Sequence, residues 1–141
     1  MGILADLFVA HPADAPGYEE QLKNRDALQK RFERVEFKGL TDLEFSTLWA
    51  LLKGEEWDLE KHALEEVTPA GNTWLFRFPS SFVQQLTSID ERRISDVSIP
   101  WAATEELQWE PSEAKEVVVE LVRLARVAKS SSKGLFLWGS L

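Results

Sequence analysis

The chain contains no cysteine. Disulfides, thiolate metal sites and cysteine nucleophiles are therefore excluded together, and the fold must hold by packing alone. Histidine is nearly as scarce. His11 and His62 are the only two, and neither H-E-x-x-H nor H-x-H occurs, so a metal would have to recruit them from distant segments with Asp6 or Glu60 as a third ligand; no metal site is expected. The seven glycines are scattered and form neither G-x-G-x-x-G nor a Walker loop. There is no G-x-S-x-G elbow, and the serines fall in turns and helix starts. No cofactor is expected. Positive charge is also short: 16 basic against 24 acidic residues leave a net charge of −8, which argues against nucleic acid and anionic membranes and favours a basic partner. No apolar run is long enough to span a bilayer. The opening Met1-Gly2-Ile3-Leu4 lacks the basic start of a signal peptide, and Asp6 breaks both its apolar run and the myristoylation pattern, so a cytoplasmic location is expected. No internal repeat is found.

What is present is a core-forming composition. Apolar residues make up 44% of 141 positions, enough for one core and one globular domain over residues 1–141. The clearest element is Phe37–Trp57. Thr41 and Glu44 form a T-x-x-E capping box, Phe45, Leu48, Trp49 and Leu52 share one helical face, and Gly54 stands where a left-handed residue ends a helix. Before it, Ile3–Val9 reads as a strand covered on both faces, Tyr18–Phe32 as a mostly solvated helix, and Arg34–Lys38 as a strand wet on one side.

Beyond Gly54 comes the most acidic stretch of the chain. His62–Val67 suits the first arm of a hairpin or a short helix, Thr68–Asn72 a turn, and Thr73–Phe78 a strand ended by Pro79. Ser80 or Ser81 can cap a helix running to Ile89, Ile94, Val97 and Ile99 suit a short helix, and Pro100 suits the first turn of another over Trp101–Trp109. Pro111-Ser112 opens the last helix, with Val118, Leu121, Val122, Ala125 and Ala128 on its apolar face. The final strand Leu135–Trp138 is too apolar to be left exposed and belongs inside the sheet or packed on both its faces. The pattern predicts an α/β or α+β single domain: a mixed sheet of about four strands packed by several helices.

Two constellations carry chemistry. On the expected Trp101–Trp109 helix, Trp101, Glu105, Glu106 and Trp109 would place tryptophans and carboxylates on adjacent turns, and the acidic exit Glu55, Glu56, Trp57, Asp58 adds a third tryptophan. Tryptophans framed by carboxylates suit a basic protein surface or a cationic ligand; equally, Trp101 and Trp109 suit the core of an amphipathic helix. The second constellation consists of charges in apolar strands. Asp6 can be a tuned carboxylate or a hydrogen-bonded structural one, and Arg77 calls for a carboxylate partner or a ligand. With Glu105 these two would form a ligand site.

The blocks Phe37-Lys38-Gly39-Leu40-Thr41, Trp74–Pro79, Trp101–Glu106 and Gly134–Gly139 resemble those of a small uncharacterised bacterial protein family. That resemblance implies a compact bacterial cytoplasmic domain and no particular activity. In size, acidity and lack of motifs the chain is also similar to bacterial immunity proteins that neutralise toxins. The expected functions are a non-enzymatic binder of a basic protein, such as an immunity-type inhibitor; a small hydrolase or ligand-binding enzyme using Asp6, Arg77 and Glu105; or a structural subunit of a homo-oligomer.

Overall fold

The computed structural model describes residues 2–68 and 71–141, apart from the side chain of Arg25. Met1, and Pro69 and Ala70 of the expected turn, lie outside them. The strand β1 (Leu4–Ala10) lies between β2 (Glu33–Lys38) and β5 (Gly134–Ser140), and β4 (Thr73–Arg77) and β3 (Glu65–Thr68) continue the sheet beyond β5. The order is β2-β1-β5-β4-β3, and every pairing is antiparallel. Among the described residues the expected helix-packed sheet is present, with five strands instead of about four and no parallel pairing. Long connections permit a parallel crossover without requiring one. The extra strand is the Glu65–Thr68 arm, an edge made irregular by a register shift between Glu66 and Thr68. The terminal strand β5 sits at the centre of the sheet, as its apolar content demands. At Gly139 it passes beneath an indole, since a Cβ there would come within 2.1 Å of Trp74 Nε1.

Alternation along the strands divides the side chains between two faces. Ala5, Leu7, Val9, Leu135 and Leu137 enter the main core under α2 (Asp42–Lys53), α3 (Ser80–Ser88), α4 (Glu91–Ala102) and α5 (Pro111–Ser130). The helix lying directly across β1, β2 and β5 is α5. Phe8, Ala10, Phe136 and Trp138 face the other way, against a smaller cluster from two 3-10 turns, Ala15–Gly17 and Glu19–Lys23, and the helix α1 (Arg25–Arg31). The Tyr18–Phe32 segment is therefore a partial cover and not one mostly solvated helix. Tyr18, Leu28 and Phe32 are buried, and the Tyr18 ring stacks on Phe8 at 3.9 Å.

The helix α2 forms as its sequence dictates. Leu43 N–H donates to Thr41 Oγ1 at 3.3 Å, Thr41 N–H donates to Glu44 Oε2 at 3.3 Å, and Gly54 ends the helix at φ +67°. Phe45 meets Phe78 edge-on at 5.4 Å, and Trp49 stacks on Phe82 at 5.0 Å. Among the described residues no helix is long and apolar enough to cross a membrane.

Candidate functional site

The turn that leaves α2 is held by its own charges. The left-handed Gly54 reverses the chain, and Glu55 then accepts from Lys61 Nζ at 3.0 Å and His62 Nε2 at 3.1 Å, with Lys53 Nζ at 3.4 Å. His62 is fully buried, edge-on to Trp49 at 5.8 Å. Its Nδ1 lies 3.0 Å from Asp58 N and 3.2 Å from Asp58 O, and its Nε2 faces Glu55. Asp58 Oδ1 in turn accepts from the N–H groups of Glu60 and Lys61 at 2.9 and 3.2 Å. Two of the four acidic-exit residues thus build the turn. What it displays is Trp57, 42% exposed with its indole N–H donated to Ser46 Oγ at 2.7 Å, and Leu59, 54% exposed. Exposed Glu56 and Glu60 flank them, and neither side chain makes an ion pair among the described residues.

The bonds from Lys61 and His62 hold the Glu55 carboxyl down at about 2, below its ordinary 4.5. A carboxylate made more acidic by folding adds stability that is complete above the unfolded value and is lost as pH falls through the folded one. Glu55→Gln should therefore be less stable than the parent near neutrality, and the gap should close between about pH 4.5 and 2. Urea unfolding at stepped pH measures it; a gap independent of pH would refute the role given to Glu55.

The second half of the expected surface does not assemble. Trp101 lies in the last turn of α4, fully buried, donating to Glu44 O at 2.8 Å, while Trp109 is half-buried beyond the helix near Gly39. Pro100 sits inside α4 and does not start a new helix. The i, i+3, i+7 face of Ile94, Val97 and Trp101 runs straight through it, and Asp90 accepts Arg93 N–H at 2.8 Å at the true start. From Thr104 the chain turns, with Gln108 at φ +49°, so Glu105 and Glu106 are exposed loop residues. Among the described residues no hydrogen bond or ion pair joins them to the turn at Glu55–Asp58.

Asp6 has a different setting. It is 5% exposed on β1, and its Oδ2 accepts from Tyr18 Oη at 2.7 Å and from Arg34 at 3.1 Å. Arg34, on the neighbouring β2, also donates through Nε to Tyr18 Oη at 2.7 Å, to Gln29 at 2.9 Å, and to Glu36. Burial raises the Asp6 carboxyl above its ordinary value, against the pull of its two hydrogen-bond donors, and burial with the bond to Asp6 pushes the Tyr18 hydroxyl above the ordinary phenol range. Arg77 lies on β4, beyond β5, with its guanidinium 5.9 Å from the Phe136 ring and no ion pair among the described residues. It lines a separate cavity beside Lys133, and Glu105 lines neither that cavity nor the one at Asp6. The Asp6, Arg77 and Glu105 site is not brought together. Sequence reasoning missed Tyr18 and Arg34; the available signal was the strand pairing itself, since a carboxylate inside β1 calls for a donor from the adjacent strand.

Among the described residues no group of three His, Asp or Glu side chains is placed to hold a metal ion. Comparison of the chain with protein-family models, with curated proteins and with solved structures gives no match.

Proposed function

We propose that this protein is a non-enzymatic binding domain that receives a basic protein surface on the turn leaving α2. The observation that carries the reading is the pair Trp57 and Leu59, large apolar side chains left exposed on a turn held by the hydrogen bonds of Glu55, Asp58 and buried His62. A pre-formed turn loses little freedom on binding, and exposed tryptophan is a characteristic hot-spot residue. Glu56 and Glu60 beside them, on a chain of charge −8, supply attraction and steering for a basic partner. An immunity-type inhibitor acting in the bacterial cytoplasm, covering a basic face of a toxin, is the form of this activity that best matches the charge.

The test is capture on the immobilised chain from lysate of the source cell, at low and high salt. A partner retained at low salt should be released at high salt, and Trp57→Ala should weaken it about thirtyfold, a typical hot-spot loss of about 2 kcal/mol. Absence of a salt-sensitive partner, or full retention by Trp57→Ala, would sink the reading.

A further inference from the structure

The sheet face opposite the main core is only partly covered. Tyr18, Leu28 and Phe32 close it over Phe8, but toward the start of β1 the cover thins: Leu4 is 39% exposed and Leu22 is half-buried. Between them opens a cavity of about 440 Å³, within the usual size range of small-ligand sites. Its apolar wall is Leu4, Leu22 and Trp138, the last paired with Asp6 across the neighbouring strand.

The polar groups there are unevenly matched. Asp6 lines the cavity, and both of its hydrogen bonds fall on Oδ2. Oδ1 has no partner among the described residues, and it is not sealed away; the buried, unpartnered side-chain polar atoms among those residues are the indole nitrogens of Trp74 and Trp138. One oxygen of a carboxylate that lines the cavity therefore keeps its acceptor capacity unused within the described residues. Glu36 adds a second carboxylate and Lys38 a single exposed cation, while Arg34 is already committed to Asp6, Tyr18, Gln29 and Glu36. A carboxylate acceptor and a tryptophan lining the same cavity match an organic ammonium ion, through a charge-assisted hydrogen bond and the attraction of a cation to an aromatic ring.

We infer that this cavity binds a small organic ammonium ion with an apolar body, its nitrogen on Asp6 Oδ1 and its body against Trp138, Leu4 and Leu22. This site is separate from the turn at Trp57 and does not depend on the function proposed for it.

The probe is phenethylamine, protonated at neutral pH, titrated into the isotope-labelled chain and followed by amide and indole NMR shifts. 2-Phenylethanol and 3-phenylpropionate serve as neutral and anionic controls of similar shape. Saturable shifts should cluster at Leu4, Asp6, Leu22 and Trp138, with the alcohol at least about tenfold weaker and the anion silent. Asp6→Asn should reduce amine affinity at least about tenfold, and Lys38→Glu, at the exposed rim and outside the buried network, should tighten it about threefold. The Lys38 variant keeps the test decisive if Asp6→Asn fails to fold. Overturning results are no saturable shift with the amine, equal binding of the alcohol or the anion, or amine affinity unchanged by Lys38→Glu.

Discussion

Leu48→Asp is expected to leave the chain without a cooperative thermal transition. Leu48 has no exposed surface and sits on the inward face of α2, between Phe45 and Trp49, in the core that also holds Phe78, Phe82 and α4. Removing the leucine alone costs about 2–5 kcal/mol in a packed core. The aspartate then adds several kcal/mol more, because it has neither water nor a cation to meet. Together these match the about 5–15 kcal/mol that holds a domain of this size. Leu43→Asp on the same helix, 40% exposed, is the control and should melt within a few degrees of the parent. Circular dichroism melts of the two variants decide it, and a cooperative transition near the parent temperature for Leu48→Asp would contradict the packing described.

Arg34→Met is expected to destabilise the domain by about 3–5 kcal/mol, because it removes one partner of a buried ion pair and leaves the other charge behind. The Arg34 and Asp6 side chains are only 5% and 7% exposed, and Arg34 is also the donor that holds Tyr18 Oη. The loss should depend on pH. Burial already raises Asp6, so its folded form holds a proton more tightly than its unfolded form does. A raised carboxyl gives stability that is present below the unfolded value and is lost as pH rises through the folded one, so ionised Asp6 weighs against the fold. Without the guanidinium that weight increases. The cost of Arg34→Met should therefore be largest near neutrality and should shrink in acid, as Asp6 takes up its proton. Replacing both members, Asp6→Leu with Arg34→Met, should recover much of the loss, since two apolar groups leave no uncompensated charge. Urea unfolding at neutral and acid pH measures all three; a loss for the single variant that grows as pH falls would contradict the assignment.

The elements most legible in the sequence were those whose signals are local. The capping box, apolar stripe and left-handed Gly54 of α2 lie within one stretch, and the structure reproduces all three. The apolar run Leu135–Trp138 called for cover, inside the sheet or on both faces, and the structure sets it between β1 and β4. Pro100 misled for the opposite reason. A proline is compatible with a first turn, but the register of Ile94, Val97 and Trp101 records what the helix buries, and burial outweighs the local preference. The chain pairings that make β3 an edge and place β5 between β1 and β4 depend on contacts far apart in sequence, where local periodicity carries no information.

The candidate surfaces show the same division. Exposed Trp57 in an acidic run is visible from spacing and composition. That Glu55 and Asp58 are spent on hydrogen bonds within the turn, leaving Glu56 and Glu60 to display charge, follows from contacts with Lys61, buried His62 and the turn's own N–H groups, which no spacing reveals. Asp6 stood out as a charge in an apolar strand, whereas its partners Tyr18 and Arg34 lie 12 and 28 residues away and meet it only through the folded sheet. Glu105, Glu106 and Trp109 lost their shared helix when the chain turned at Thr104.

In the function proposed here, the turn leaving α2 is the face that meets a partner. Hydrogen–deuterium exchange of the chain, alone and bound to the partner captured at low salt, tests it most directly. The expected result is new protection concentrated in residues 54–62, with the sheet face at Asp6 and Trp138 exchanging as in the free chain. Protection confined to another face, with the turn at Trp57 unchanged, would contradict it.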